Sequence, residues 1–227
     1  MKYFLLALLT TIQVQAFCQN NQTYQEWANL KRYAAENQAL KTPAKNEKRV
    51  VFMGNSITEG WKRADSSFFS NNNYIDRGIS GQTTPQMLLR FRQDVINLKP
   101  AAVVILAGIN DIAENTGPIS LDDIMGNIIS MTELARANKI RVILCSILPA
   151  NKFPWRPQIL PADKVIQLNS MIKAYADKNK VTYVDYYSAM VDGEKGLDQK
   201  YTRDGVHPTA AGYAVMEPIV VKAINKH

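Results

Sequence analysis

The chain has 227 residues, of which 46% are hydrophobic and 21% are charged, and its formal net charge is +7 at pH 7. A hydrophobic fraction of this size, without low-complexity tracts or a fixed repeat, is typical of a globular protein and excludes a disordered chain or a repeat array. The 27 lysines and arginines are scattered without a dense basic run. We therefore interpret the positive charge as a solvated surface and expect no nucleic-acid partner.

Residues 1–16 are predicted to be a secretory signal peptide. Lys2 provides a positive start, residues 3–12 form a short apolar stretch, and Ala16 stands at the expected cleavage position. The apolar stretch is too short for a stable membrane span. The alternative to a signal peptide is an N-terminal helix packed on the domain. We expect a secreted or periplasmic protein.

The two cysteines do not amount to a disulfide framework. Cys145 lies within an apolar run and is expected to be a small buried hydrophobic residue. Cys18 follows the predicted cleavage position, where a lipid anchor is an alternative to a free or removed thiol. Phe17 disfavours that anchor because it is bulky where a lipoprotein signal has a small residue.

An amphipathic helix is predicted over residues 21–41, ending before Pro43. We assign residues 17–45 to an N-terminal helical extension and residues 46–227 to the main domain. The apolar residues at helical spacing within the extension are Tyr24, Trp27, Leu30 and Ala34.

Five short apolar runs alternate with helical patterns in the main domain. The runs are residues 50–53, 74–79, 102–107, 141–148 and 181–186. The main helical patterns lie at residues 87–98, 124–134, 165–175 and 213–220. Strands that are apolar on both faces, alternating with amphipathic helices, predict an α/β fold whose parallel sheet of about five strands is covered on both sides.

Small and polar residues cluster just after the apolar runs. In open α/β sheets the ligand site lies outside the carboxyl ends of the strands, so we expect these clusters to share one site. They are Gly54 to Ser56, Gly78 to Gly81, Gly108 to Asp111 and, beyond a loop, Asp204 to His207.

His207 is the one credible histidine base, because the other histidine is the last residue, where fraying is expected. Asp204 lies three residues earlier, close enough for its carboxylate to reach the imidazole. A serine hydroxyl is a weak nucleophile until such a carboxylate-oriented base removes its proton. The alternative is a turn at Asp204 and Gly205 that His207 merely caps.

Ser56 is a candidate nucleophile and, equally, a candidate helix N-cap, since Thr58 and Glu59 are compatible with a helix start. The segment lacks the Lys-Ser/Thr pair of a nucleotide P-loop, and Thr58 occupies the last glycine position of a Gly-x-Ser-x-Gly elbow. A single internal histidine without an acidic cluster is a poor ligand set, so we expect no metal.

Gly81 and Asn110 are candidate donors for an oxyanion. Acyl transfer through a tetrahedral intermediate needs donors aimed at the developing negative charge, and a glycine N–H and a side-chain amide are both suitable. The alternatives are a turn glycine at Gly81 and a strand-end Asx-turn at Asn110.

Together, four segments resemble the SGNH hydrolases, the GDSL-like lipase/acylhydrolase family. They are "GNSIT" with Ser56, "GISGQTT" with Gly81, "GIND" with Asn110, and "DGVHP" with Asp204 and His207. All four occur in the family's order between about residue 50 and the C-terminus. The resemblance implies a flavodoxin-like three-layer α/β/α sandwich and a serine esterase that needs no metal or organic cofactor.

The resemblance also implies a role for each residue. Ser56 would be the nucleophile, His207 the base and Asp204 its orienting partner. The Ser56 N–H, the Gly81 N–H and the Asn110 side chain would form the oxyanion hole.

One residue departs from the family pattern, because Asn55 stands where the family has an aspartate before the serine. We expect Asn55 to form the local turn hydrogen bonds, so that the fine geometry changes while activity is retained. The "GNSIT" segment looks more like the branch with carbohydrate acetylesterases and platelet-activating-factor-acetylhydrolase-like proteins than like long-chain lipases.

We therefore predict a secreted serine esterase that removes a short acyl group, above all acetyl, from a carbohydrate or similar small-molecule substrate. The alternatives are a lysophospholipase, a broad acyl-thioesterase or, in another class, a non-catalytic carbohydrate-binding module. Trp61, Phe153 and Trp155 are predicted to supply a flat aromatic surface for a sugar, with ordinary packing as the alternative.

Overall fold

The protein's structure, a computed structural model, describes residues 23–226. The predicted signal peptide and Cys18 lie outside the described residues. Within residues 23–226, none of the helices combines the length and apolar character that crossing a membrane requires.

Five parallel strands form one sheet with the order β2-β1-β3-β4-β5. The strands are β1 (Val50–Gly54), β2 (Tyr74–Gly78), β3 (Ala102–Ile105), β4 (Arg141–Cys145) and β5 (Thr182–Val184). Every residue of β1 and β3 is buried, because helices cover both faces of the sheet. The predicted α/β fold with a five-stranded parallel sheet is confirmed.

Ten α-helices precede, connect or follow the strands in the described chain. They are α1 (Tyr24–Trp27), α2 (Ala34–Ala39), α3 (Ser56–Ala64), α4 (Ser66–Ser70), α5 (Thr84–Asp94), α6 (Ile109–Ile112), α7 (Leu121–Ala137), α8 (Ala162–Asn179), α9 (Tyr187–Met190) and α10 (Ala210–Asn225). Helices α3, α4 and α10 lie on one face of the sheet, and α5, α7 and α8 pack together on the other. Because the strands are all parallel, the carboxyl ends of all five lie at one edge of the sheet, where the site is built.

The single helix predicted over residues 21–41 is replaced by two short helices, α1 and α2. Asn29 adopts the left-handed region at φ 51° and ends the first helical segment. The backbone carbonyls of Trp27, Ala28 and Leu30 accept hydrogen bonds from glutamine side chains of the main domain, at 2.7, 2.7 and 2.6 Å. A continuous helix would need those carbonyls for its own N–H groups, so tertiary hydrogen bonds override the helical pattern.

Candidate active site

Ser56 lies where strand β1 passes into helix α3 without an intervening loop. Gly54 ends the strand, Asn55 is the N-cap residue, and Ser56 is the first residue of the helix. A Cβ at Gly54 would lie 2.0 Å from the Thr58 hydroxyl oxygen, so only glycine permits this abrupt start. Ser56 is half-buried, and its N–H has no intrahelical acceptor because it belongs to the first turn.

His207 contacts Ser56 from a loop that precedes helix α10. The Ser56 Oγ lies 2.9 Å from His207 Nε2, although the two residues are 151 positions apart. The Thr202 hydroxyl donates to the His207 carbonyl at 2.8 Å and accepts from the Gly205 N–H at 3.1 Å. Gly205 has a φ of 85°, which glycine adopts at little steric cost. The loop therefore holds the imidazole against the hydroxyl.

Asp204 orients the imidazole from its other side. Its Oδ2 lies 2.7 Å from His207 Nδ1, and its Oδ1 accepts from the backbone N–H groups of His207 and Val206 at 2.8 and 2.9 Å. Partial burial acts to raise the pKa of Asp204, but these hydrogen bonds outweigh it and lower the pKa to about 2. The carboxylate is therefore ionised at any physiological pH.

The three side chains form one hydrogen-bonded line from carboxylate to hydroxyl. A carboxylate at Nδ1 places the proton of the neutral imidazole on that nitrogen, which leaves Nε2 as an acceptor. Nε2 faces the Ser56 Oγ at 2.9 Å. This arrangement allows the imidazole to remove the serine proton, and the carboxylate to stabilise the resulting imidazolium.

Gly81 and Asn110 bring donors to the same cleft. Gly81 has a φ of 78°, and a Cβ placed there would meet no atom within 4 Å. No group of residues 23–226 accepts a hydrogen bond from its N–H. Asn110 is buried and donates one amide hydrogen to the Gln82 carbonyl at 3.0 Å, which leaves its second hydrogen available. Ser56, Gly81, Asn110 and His207 all line one cleft of about 760 Å³.

Trp155 forms part of the rim of this cleft. Its side chain is 42% exposed, and its ring lies 6.1 Å from the His207 ring between centroids. Among the three predicted substrate-binding aromatic residues, Trp155 is the one that presents a surface to the cleft.

The prediction that Trp61 and Phe153 supply a surface for a sugar is wrong, because both side chains are buried at 1% exposure. Trp61 stacks between Phe68 and Tyr213, with centroid distances of 5.1 and 5.4 Å. Phe153 packs beneath Trp155 at 5.2 Å and so supports the rim from below. Both residues stabilise the walls of the site through packing.

The hydrogen bonds expected of Asn55 are absent as well. The side chain is buried, and neither its Nδ2 nor its Oδ1 has a hydrogen-bond partner among the described residues. The Asn55 backbone carbonyl instead accepts from the Glu59 N–H at 2.9 Å within the first turn of α3. The turn is therefore held by the backbone.

Two features of the site escaped prediction. Gly60 and Arg63 line the cleft on the same face of α3 as Ser56, and their spacing of four and seven residues from Ser56 would have indicated that shared face. Asp111 accepts from the Thr84 N–H and hydroxyl at 2.9 and 2.6 Å and thereby fixes the start of α5 to the loop that carries Asn110. Burial raises the pKa of Asp111 despite these hydrogen bonds.

Within residues 23–226, His, Cys, Asp and Glu form no group of three or more with a metal-binding arrangement.

Comparisons with known proteins support the family resemblance and the fold. The sequence pattern described as the GDSL-like lipase/acylhydrolase family matches residues 52–215. Esterase TesA from Pseudomonas aeruginosa is 29% identical over 164 residues, which are 70% of this chain and 75% of TesA. The crystal structure of a GDSL-like lipase from Bacteroides thetaiotaomicron is 61% identical, covers 88% of this chain and 98% of its own, and has a TM-score of 0.86. Axe2, an acetylxylan esterase from Geobacillus stearothermophilus, shares the fold at 20% identity, with a TM-score of 0.61 over 83% of this chain and 98% of its own.

Proposed function

The chain belongs to the GDSL-like lipase/acylhydrolase family and hydrolyses esters, and from this premise we propose that it acts as a serine esterase through Ser56, His207 and Asp204. One observation carries the proposal. The Ser56 Oγ lies 2.9 Å from His207 Nε2, and His207 Nδ1 lies 2.7 Å from the Asp204 carboxylate. A nucleophile, a base and an orienting acid joined in this way are the parts that acyl transfer requires.

In the acylation step, the Ser56 Oγ attacks the acyl carbon while His207 Nε2 accepts the hydroxyl proton. The carbonyl bond electrons move onto the oxygen and form a tetrahedral oxyanion. When that intermediate collapses, the bond to the leaving alcohol breaks and the alcohol takes the proton from His207. The acyl group remains on Ser56 as an ester.

In the deacylation step, water takes the position of the alcohol. His207 accepts a proton from the water as its oxygen attacks the acyl carbon, and a second oxyanion forms. Collapse of this intermediate returns the proton to the Ser56 Oγ and releases the carboxylic acid. Asp204 stays ionised through both steps, because its pKa is about 2.

The oxyanion of both intermediates would bind to three donors. These are the Ser56 N–H at the start of α3, the Gly81 N–H and the second amide hydrogen of Asn110. The proposal is supported by their common cleft and by the Gly81 N–H, which donates to no group of residues 23–226. Preorganised donors of this kind act only where charge develops, so they lower the barrier to reaction more than they strengthen substrate binding.

The proposed substrate is an acetyl or similarly short acyl ester on a carbohydrate. The cleft at Ser56 is open, so its apolar residues, Trp155, Pro208, Ala210 and Tyr213, do not enclose a channel for a long chain. The rest of its lining includes the small and polar residues Gly60, Ala64, Ser80, Gly81 and Asn115. The exposed ring of Trp155 offers a face on which a sugar can stack. Axe2, whose fold this chain shares, is an acetylxylan esterase. Export, proposed from the sequence of residues 1–16, would bring the enzyme to extracellular glycans.

Hydrolysis of aryl acetates is expected to exceed that of aryl octanoates by about tenfold or more in kcat/KM, because the small residues near Ser56 cannot enclose an eight-carbon chain. The measurement is a series of aryl esters of increasing acyl length. It is accompanied by acetate release from acetylated oligosaccharides and by assays with a lysophospholipid and an acyl thioester.

A preference for octanoyl or lysophospholipid substrates would contradict the short-acyl proposal and favour a lysophospholipase. Rapid turnover of aryl acetate without acetate release from any acetylated oligosaccharide would contradict the carbohydrate part alone. A thioester that is hydrolysed as fast as the acetate would favour a broad thioesterase.

Activity is expected to decrease in acid with the uptake of a single proton. Protonated His207 cannot accept the serine proton, whereas Asp204 stays ionised down to about pH 2. A plot of log(kcat/KM) against pH should therefore have an acid limb with a slope of about one, because Asp204, with a pKa of about 2, takes up no second proton in the acid range of the assay. A rate that rises steadily into acid would exclude His207 as the base. A slope of two would mean that a second group, such as the carboxylate, also titrates in this range.

A further inference from the structure

The N-terminal segment, residues 23–39, lies outside the part of the chain that matches the family pattern, residues 52–215. It nevertheless packs against the glycine loop, residues 78–83, which begins with Gly78, the last residue of strand β2, and carries Gly81. Three contacts join the segment to this loop. They reach Gly78, which is three residues from Gly81, and its neighbours Gln82 and Ser80, the last of these through Glu59 of α3.

The first contact runs from Tyr33 to Gly78, at the beginning of the glycine loop. The Tyr33 hydroxyl donates to the Gly78 carbonyl. The side chain is only 4% exposed, and its ring lies between the guanidinium groups of Arg32 and Arg77, at 4.6 and 4.5 Å from the ring centroid. Burial raises the pKa of Tyr33 well above its usual value, so the hydroxyl remains a donor throughout the pH range of an assay.

The second contact joins the segment to both proposed oxyanion donors. The Gln82 side-chain amide donates to the Ala28 carbonyl at 2.7 Å, and Gln82 is 3% exposed. The backbone carbonyl of the same residue accepts from Asn110 Nδ2 at 3.0 Å. Gln82 therefore connects the segment to the residue after Gly81 and to the side chain of Asn110.

The third contact reaches the residue before Gly81. Arg32 pairs with Glu59 Oε1 at 3.3 Å, and Glu59 Oε2 accepts from the Ser80 N–H at 3.0 Å and from the Ser80 hydroxyl. Glu59 lies on α3, three residues after Ser56. The contact therefore ties the glycine loop to the helix that carries the nucleophile.

Gly81 itself has few restraints of its own. It has no side chain, its position is open, and its one protein hydrogen bond in the described chain is the 3.2 Å bond that its carbonyl accepts from Asn115. The direction of its N–H therefore depends on where residues 78, 80 and 82 are held. All three are bound by groups that contact, or belong to, the N-terminal segment, and Gly78 is in addition paired with Gly54 at the end of β2.

We propose that the N-terminal segment positions the oxyanion hole, with Tyr33 as a positioning residue that acts through Gly78 on the Gly81 N–H. The inference rests on the proposed function, because it concerns the donors of that reaction. A donor must lie within about 0.5 Å of its productive place to stabilise a transition state, so loosening the loop should slow the chemical step and leave substrate binding nearly unchanged.

The test compares two variants that each remove one hydrogen bond of the segment. Tyr33→Phe removes the bond to the glycine loop, whereas Gln93→Leu removes the 2.6 Å bond from Gln93 on α5 to the Leu30 carbonyl and leaves the loop untouched. Both should lower the unfolding temperature by a similar small amount. Tyr33→Phe should lower kcat on an aryl acetate about tenfold with KM within about twofold, and Gln93→Leu should leave kcat within about twofold of the wild type.

Two outcomes would overturn the inference alone. If Tyr33→Phe kept kcat within about twofold of the wild type, the hydroxyl would not position the donors. If both variants lost kcat equally, the segment would support stability in general. The proposed function is tested separately with Ser56→Ala in the same assay. Turnover that persists in Ser56→Ala would overturn both, whereas inactive Ser56→Ala beside unimpaired Tyr33→Phe would overturn the positioning role only.

Discussion

Replacing Ser56 with alanine is expected to abolish esterase turnover, lowering kcat by about 10⁴-fold or more. The variant removes the atom that would attack the acyl carbon, and no neighbouring hydroxyl occupies the position 2.9 Å from His207 Nε2 in the described chain. The fold should be retained, because Ser56 is half-buried and its side chain makes a single hydrogen bond within residues 23–226, the one to His207. The measurement is kcat on an aryl acetate together with the unfolding temperature of the purified variant.

Ser170→Ala is the matched control, because Ser170 is exposed on α8 and lies outside the cleft. It should keep both the activity and the unfolding temperature of the wild type. Residual turnover in Ser56→Ala above about a hundredth of the wild-type kcat would contradict the role of nucleophile. If the wild-type protein were itself inactive and nevertheless bound glycans, the non-catalytic carbohydrate-binding module would be favoured instead.

The fold was predictable because strands that are buried on both faces appear in a sequence as continuous apolar runs. Strand β3 is an example, since Ala102–Ile105 is apolar and buried throughout. The strand ends were predicted less well. The run 141–148 extends three residues beyond β4, because Ile147 and Leu148 stay buried at 1% exposure after the chain has left the sheet. Apolar character reports burial and does not distinguish a strand from the buried loop that follows it.

The location of the site followed from the topology, because parallel strands bring their carboxyl ends to one edge. The structure brings Ser56, Gly81, Asn110 and His207 together in one cleft, as this argument predicted. Their individual roles came from the family resemblance. The two residues that were misplaced, Trp61 and Phe153, are aromatic residues near the site. Trp61 is buried against Tyr213, which is remote in the sequence, whereas Phe153 packs against its near neighbour Trp155. Residue type alone does not separate a binding surface from a core.

The N-terminal segment could not have been predicted from sequence patterns. Its helical spacing indicated one helix, but hydrogen bonds from three glutamine side chains determine the path of residues 27–30. Single hydrogen bonds between distant residues leave no periodicity in a sequence. The same holds for Asn55: its side chain has no hydrogen-bond partner among the described residues, which becomes visible only when its surroundings are known.

Asp204→Asn is expected to lower kcat by about 10⁴-fold, although the two side chains have nearly the same shape. The reason is the arrangement of hydrogen bonds around the carboxylate. Oδ1 accepts from the N–H groups of Val206 and His207, and Oδ2 lies against His207 Nδ1. An asparagine has one oxygen and one NH₂ group for these two positions.

Either orientation of the asparagine impairs the base. With its NH₂ group toward the backbone, donors face donors and the turn at residues 204–207 is destabilised. With its NH₂ group toward Nδ1, the imidazole must accept there and carry its proton on Nε2, which then points at the Ser56 Oγ and cannot accept the hydroxyl proton. The structure favours the second orientation, because it keeps both backbone hydrogen bonds. The variant should therefore fold normally and bind substrate with KM within a few-fold of the wild type, while kcat falls.

The control for this prediction is Asp177→Asn, which makes the same chemical change in an exposed ion pair with Lys173 on α8. Exposed pairs contribute little to stability, so this variant should match the wild type in kcat and in unfolding temperature. A kcat for Asp204→Asn above about a tenth of the wild-type value would show that the tautomer of His207 does not depend on the carboxylate. His207 would then be oriented by its loop, through the Thr202 hydroxyl and the turn at Gly205. If Asp204→Asn failed to fold, the orientation with its NH₂ group toward the backbone would account for the defect, because that orientation breaks the turn that carries the base. The orientation with the NH₂ group toward Nδ1 would then be contradicted.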